Sequence, residues 1–419
     1  MRQSRPTPNP RALPKPVVEL CARLEERGVP SFSHGEGLLY DLHTGPGDRA
    51  PCRSLLCAGT ARTLLDALPA AVVSGEGSRR FTQATAEGPV DLVPCGEQDP
   101  KDVLTRFGLA PYAFAFRPRD ESWLDPCDGL AGFLAGELDL ADPGQGAPSP
   151  FEVAPRRYWI SARLIAEHGL RPSPSLIESA RTAFEAAAPR LPQAAPARRE
   201  LTRVLDAPRP GAALAFLREV GVLDHLVPGT QAVHLDRVDQ LPRLPALRWA
   251  AWLRGAATAG AMVRFRVPHA LARRIERLQA SHPLDRTVAP ERDASLRKLL
   301  TRLDEASLEA LFLWRRLEIA DWADRSEAAR VEARLVAIEE RIAAIRAAQQ
   351  RSGEVRALAL DGTAVMERLG AGPGRHVGQA LGHLARFVAA NPSANEPVAL
   401  ERELVAWAKA HSNLIDDVG

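Results

Sequence analysis

The apolar pattern of this chain changes character near residue 150, and that change sets its architecture. From about 151 onward the sequence reads as almost all helix. Leu164, Ile165 and His168 share one helical face, and Leu214, Leu217, Val220 and Leu223 recur at helical spacing. Val331, Leu335, Ile338, Ile342 and Ile345 form a clean stripe on one long helix. Residues 17–140 are different. Short apolar segments at 70–73, 90–93 and 113–116 alternate with turns and with helical stretches at 61–68 and 100–107. The expectation is an α+β N-terminal part, a mixed sheet with helices, followed by an all-α remainder. A chain of 419 residues is long enough for several domains. Residues 1–16 hold five prolines and few apolar anchors and read as a flexible tail. Residues 141–150, ADPGQGAPSP, read as a linker or ordered loop.

Composition excludes several classes. The five cysteines, Cys21, Cys52, Cys57, Cys95 and Cys127, form no CxxC pair, which argues against a disulfide framework or a zinc site. No apolar run approaches the roughly 20 residues a bilayer needs, and Trp249-Ala250-Ala251-Trp252-Leu253 stops at Arg254. No hydrophobic stretch follows the N-terminal charges, so the expectation is a cytoplasmic protein without a signal peptide. The net charge of +2 selects no partner. Of the basic residues only Lys15, Lys101, Lys298 and Lys409 are lysines. The arginine excess suits phosphate contacts, ordinary surface ion pairs or a GC-rich coding sequence alike.

Specific motifs then narrow the reading. Glu36-Gly37-Leu38-Leu39-Tyr40-Asp41-Leu42-His43-Thr44-Gly45 has the spacing Gly-Gly-x-Val-Arg-Asp-Leu-Leu-Leu-Gly. Leu124-Asp125-Pro126-Cys127-Asp128-Gly129-Leu130-Ala131 has an Asp-Pro-x-x-Gly-Leu turn. Leu358-Ala359-Leu360-Asp361-Gly362, Gly370-Ala371-Gly372-Pro373-Gly374-Arg375-His376-Val377-Gly378, Asn391-Pro392 and Asn395 complete the set. On these residues the chain resembles the bacterial-type (class II) tRNA nucleotidyltransferase (CCA-adding enzyme) and poly(A) polymerase family over about residues 17–410, as a divergent member. The resemblance implies a nucleotidyltransferase-like head at 17–150, a helical neck at 151–230, a helical body at 231–325 and a helical, RNA-binding tail at 326–419.

The chemistry of that family rests on an Asp-x-Asp on a strand. Side chains alternate along a strand, so the two acids point the same way and hold paired divalent ions. In this chain the motif falls on Cys52-Arg53-Ser54, and neither cysteine nor serine replaces a carboxylate for magnesium. Asp91, in Val90-Asp91-Leu92, is either the family's third acid or a surface aspartate on an edge strand. The sugar- and base-contacting segments are eroded. Arg106 remains, but Phe107 and Pro111 stand where an aspartate and an asparagine are expected. In the neck Arg156 matches one inward arginine while the next falls on Trp159, and the base reader keeps Arg198 while its acid is Ala195. Arg106, Arg156 and Arg198 are thus candidate nucleotide contacts, though the last two read first as helix-surface charges. Arg254-Gly255 occupies the place of a metal-binding His-Asp, and His282 reads as a helix-end residue. Gly372, Gly374 and Arg375 are the candidate RNA contacts.

The resemblance implies a protein that binds RNA at a tRNA 3′ end and has lost nucleotidyl transfer, with no DNA or membrane partner and no cofactor. Two alternatives stand beside it. One is an active CTP/ATP:RNA nucleotidyltransferase using Mg2+ at a relocated set of Asp41, Asp48 and Asp91. The other is a protein-binding scaffold or regulatory subunit.

Overall fold

A computed structural model describes residues 13–44, 53–74, 80–141, 147–191, 194–227, 235–254, 258–356, 358–370, 372–390 and 394–410. Asp48, Cys52, Gly255, Asn391 and Pro392 lie outside the described residues, as do 1–12 of the proline-rich tail. The chain forms two compact units, Met1–Ala280 and Ser281–Gly419. That division falls inside the segment expected to form one helical body at 231–325.

The first unit opens with a seven-stranded mixed sheet. Its strands are β1 (Ser31–His34), β2 (Arg53–Cys57), β3 (Val72–Ser74), β4 (Arg80–Thr85), β5 (Gly88–Pro94), β6 (Ala115–Arg117) and β7 (Ser122–Leu124). Their order is β3-β4-β5-β2-β1-β6-β7. Only β2 and β5 run parallel; the other neighbours are antiparallel. The strand expected at 90–93 is therefore an inner strand, and the edge-strand reading of Asp91 is corrected. The helices of the sheet region are α1 (Lys15–Glu26), α2 (Gly35–Thr44), α3 (Ala61–Ala67), α4 (Pro100–Thr105) and α5 (Gly129–Ala135). Two of them start on a side-chain cap. Thr60 caps α3 by accepting from Thr63 N, and Asp99 caps α4 with Pro100 in the first turn.

Alternation divides the sheet into two faces. Leu55, Cys57, Phe81, Val90 and Leu92 pack with Val17, Leu20, Cys21 and Leu24 of α1 and Leu64 and Ala67 of α3. Phe32, Leu56, Cys95 and Ala115 pack on the other side with Leu104 of α4.

The rest of the first unit is helical. It contains α6 (Pro150–Val153), α7 (Arg156–His168), α8 (Pro174–Thr182), α9 (Phe184–Ala187), α10 (Ala194–Asp206), α11 (Pro210–Glu219), α12 (Val222–Leu226), α13 (Pro245–Trp252), α14 (Thr258–Arg264) and α15 (His269–Ser281). A small parallel pair, Glu137–Leu138 with Arg171–Pro172, is added beside them. Leu214, Leu217, Val220 and Leu223 are all buried, but they do not lie on one helix. Gly221, at φ +83°, breaks the chain between α11 and α12, because a positive φ suits glycine and ends helical geometry. Arg248 of α13 is fully buried and donates to the carbonyls of Leu205, Ala207 and Leu241, which ties α13 to the end of α10.

The second unit contains α16 (Leu284–Thr287), α17 (Asp293–Arg302), α18 (Glu305–Ala320), α19 (Arg325–Arg356), α20 (Gly362–Leu369), α21 (Arg375–Ala390) and α22 (Pro397–Ala410). Leu335, Ile338, Ile342 and Ile345 of α19 form one core with Leu284, Leu296, Leu308 and Phe312. This packing explains why residues from 284 onward go with the long helix. A second core joins Val365, Val377, Leu384, Leu400 and Trp407. No helix among the described residues is long and apolar enough to cross a membrane.

Candidate functional site

The candidate site lies on the sheet face that α4 covers. In register across the strands, His34 faces Ser54, and Ser54 faces Asp91. These residues share a parity with Phe32, Leu56 and Val93, so their side chains leave on the same face. The row holds one carboxylate. Asp91 accepts from Thr82 Oγ1 at 3.1 Å and lies 3.8 Å from Arg80 Nε. His34 is buried, its ring stands 5.1 Å from that of Phe107, and neither ring nitrogen has a hydrogen-bond partner. Burial pushes its pKa down to about 4, so it is neutral near pH 7.

Arg53 takes the middle of the expected Asp-x-Asp and leaves on the opposite face. There it forms a two-point pair with Asp41, Nη1–Oδ2 2.5 Å and Nη2–Oδ1 3.1 Å, with the carboxylate only 2% exposed. Burial raises the Asp41 pKa, and Arg53 acts against that rise. Asp41 and Asp91 therefore lie on opposite sides of the sheet and do not converge on one ion pair. Among the described residues no group of three His, Cys, Asp or Glu side chains is placed to hold a metal. A serine, a neutral histidine, one carboxylate and a nearby guanidinium do not fit a pair of hard divalent ions, which take anionic oxygens.

A second cluster joins α2 to the helices α7 and α10. Glu36 lies in the first turn of α2. It is held by Arg163 of α7, Nη1–Oε1 3.2 Å and Nη1–Oε2 3.0 Å, and by Arg203 of α10. Arg163 Nε is 3.3 Å from Glu200, and Arg203 is 3.7 Å from Glu167. Burial works against the charge of Arg163, and Glu36 foremost among its neighbours more than offsets it. Burial raises the Glu167 pKa, and nearby Glu36 adds to the rise. Anions favour a helix N-terminus and arginine forks. Here one internal carboxylate serves both. The spacing match at Glu36 said nothing of this, because its partners stand 127 and 167 residues away.

The remaining expected residues are placed as follows. Arg106 is exposed at the end of α4 and donates to Gln98 Oε1 at 2.8 Å. Arg156, readable as an inward nucleotide contact or as a helix-surface charge, is exposed. The neighbouring Arg157 turns in instead, donating to the carbonyls of Arg106, Phe107 and Pro150. Trp159 is 1% exposed and fills its place with an apolar ring. Arg198 is half-buried and donates to the carbonyls of Phe265 and Arg266, beyond the end of α14. The Asp125 turn is structural: its carboxylate accepts from Gly129 N at 2.8 Å and Leu130 N at 3.0 Å. His282 is buried with its ring stacked on Trp314 at 3.7 Å and its Nε2 3.0 Å from Glu318. In the second unit Gly374 precedes α21, and a Cβ there would lie 2.6 Å from the His376 ring. His376 Nε2 lies 3.0 Å from the Gly372 carbonyl. Arg375 begins α21.

A mixed sheet with its helices, continued by an all-helical remainder, is the fold of class II tRNA nucleotidyltransferases. No protein-family model matches the sequence, and no curated protein matches it. Among solved structures, the Bacillus stearothermophilus CCA-adding enzyme in complex with CTP is similar at 15% identity, with TM-score 0.61 over 95% of this chain and 98% of that one. A CCA-adding enzyme in complex with ATP matches at 14% identity, with TM-score 0.57 over 90% of this chain and 91% of that one. The Thermotoga maritima CCA-adding enzyme complexed with tRNA matches at 14% identity, with TM-score 0.55 over 93% of this chain and 94% of that one. The fold expected from the motifs is thus the fold observed, from the sheet to the last helices.

Proposed function

We propose that this chain binds RNA, a tRNA 3′ end in particular, and does not transfer nucleotides to it. One observation carries the loss of transfer. The sheet row that should present paired carboxylates presents Ser54 beside Asp91, while Asp41 is bound to Arg53 on the other face. Phosphoryl transfer depends on positioning and on neutralising charge, so a site that does not gather ions lacks its main catalytic term. No step through magnesium is assigned to these residues. The RNA half of the reading is supported by the extent of the likeness, which includes a CCA-adding enzyme complexed with tRNA.

The test has two arms. Incubation with tRNA lacking its CCA end, labelled CTP or ATP, and magnesium or manganese is expected to give no incorporation; robust incorporation sinks the loss of transfer. Binding of the same tRNA is expected to weaken as salt rises, because phosphate contacts release counterions. Absence of salt-dependent binding favours a protein-binding scaffold instead.

A further inference from the structure

We infer that the exposed face of α15, with the loop before it, is the surface that meets the RNA phosphate backbone; the inference rests on the RNA reading above. The stretch 264–277 reads RFRVPHALARRIER. Arg264, Arg266, His269, Arg273, Arg274 and Arg277 are all exposed, and Glu276 is the single acid among them. Ile275 and Leu278 fix the buried side of α15 at 0% and 3% exposure. At 3.6 residues per turn, Arg273 and Arg277 point almost directly away from Ile275. His269, Arg273 and Arg277 are spaced by four residues, so their side chains rise along one stripe in steps of about 6 Å.

What marks this stretch is its density of basic side chains, five arginines and a histidine within fourteen residues, several of them free of carboxylate partners. Arg316, Arg341, Arg346 and Arg368 of the second unit are each held by a glutamate or aspartate. Arg264, Arg266 and Arg277 have no carboxylate partner among the described residues, and Arg273 donates to the neighbouring His269 at 3.1 Å. An ion-paired arginine must give up its partner to bind a phosphate, whereas an unpaired one exchanges only water and counterions. The loop is also fixed: Arg198 holds the carbonyls of Phe265 and Arg266, and Phe265 is fully buried against Trp249 and Trp252. A fixed, predominantly basic row of exposed guanidinium groups complements a polyanionic backbone, and its lack of base-reading geometry points to phosphate and not to sequence. On this view Arg198 is a positioning residue for the loop.

The experiment measures binding of full-length protein to a tRNA transcript lacking its CCA end across a salt series. Arg273→Ala/Arg277→Ala is expected to weaken binding at low salt by roughly tenfold or more and to lower the slope of log K against log salt by about 1.4–1.8, at 0.7–0.9 per lost phosphate contact. Arg341→Ala, whose guanidinium is engaged by Asp293, is expected to leave the slope unchanged. Both altered positions on α15 are exposed, so an unchanged thermal midpoint verifies that the fold is retained. If native protein binds with a salt slope that the double variant keeps, this surface is wrong and the RNA reading stands. If native protein shows no salt-dependent binding, both fail.

Discussion

His34 stands at one end of the candidate row, and burial keeps it neutral there. Its folded pKa of about 4 lies below the ordinary value of 6.5. As pH falls through 6.5 the unfolded chain takes up a proton that the folded chain refuses until about 4. Stability therefore falls with acidification across that window and levels off below it. His34→Phe is expected to flatten the dependence by up to about 3 kcal/mol between pH 6.5 and 4, read as urea midpoints at several pH values. An unchanged slope would show that His34 finds a partner for its charged form. Gly129 gives a second check. A Cβ there would lie 2.1 Å from the Ala110 carbonyl oxygen, so Gly129→Ala forces the backbone apart and is expected to cost about 1–3 kcal/mol by thermal denaturation. The Asp125–Gly129 turn was legible in the sequence because all its bonds are local. The Glu36 cluster was not, since neither arginine that engages it is near it in the chain. Arg156 illustrates a different limit. A helical motif places two adjacent arginines within a residue of the wall, and which one turns inward is decided by the carbonyls of Arg106, Phe107 and Pro150.

Several helices and strands were legible where a single period persisted. The stripe on α19 and the strand around Asp91 both formed where their patterns run. The pattern alone could not show that β5 lies between β4 and β2, because inner and edge positions are settled by pairing with distant strands. Nor did it show the break at Gly221, since the apolar positions on either side keep helical spacing across it. Buried clamps between elements were equally invisible. Arg248 reads as one more arginine in an arginine-rich chain, yet its guanidinium satisfies three carbonyls, with bonds of 2.6, 2.7 and 2.8 Å to Leu205, Ala207 and Leu241. Arg248→Ala removes the donors and leaves buried acceptors, each worth about 1–3 kcal/mol when unpaired. The expected loss is about 3 kcal/mol or more in denaturant unfolding. Arg248→Lys keeps the charge without the planar fork and is expected to recover only part of it. Equal stability of all three proteins would mean water replaces the clamp.

On the proposed reading, two things that nucleotidyl transfer needs are wanting at once: a place for cations, and guanidinium groups free to meet a phosphate chain. The two sit on different residues and can be tested separately. Cys52→Asp/Ser54→Asp restores the two acids of the sequence motif. Asp at 54 then stands in register with Asp91 on the neighbouring parallel strand, and like charges directly opposite one another destabilise a sheet pair. A divalent cation that neutralises both relieves the repulsion, and anything that binds only the folded state raises its stability. The double variant is therefore expected to melt lower than the native protein and to regain stability with millimolar manganese, whereas the native protein shows no manganese-dependent rise. Glu36 still neutralises Arg163 and Arg203, so cation binding alone leaves these guanidinium groups engaged and not free to meet a triphosphate. Glu36→Gly removes that anion while Arg163 keeps Glu200 and Arg203 keeps Glu167. CTP affinity, measured by calorimetry with manganese present, is then expected to rise at least tenfold when Glu36→Gly is added to the double variant, and the double variant alone is expected to remain inactive in the incorporation assay. Robust incorporation by the double variant would show that Glu36 yields to the triphosphate, leaving the strand acids as the only missing part.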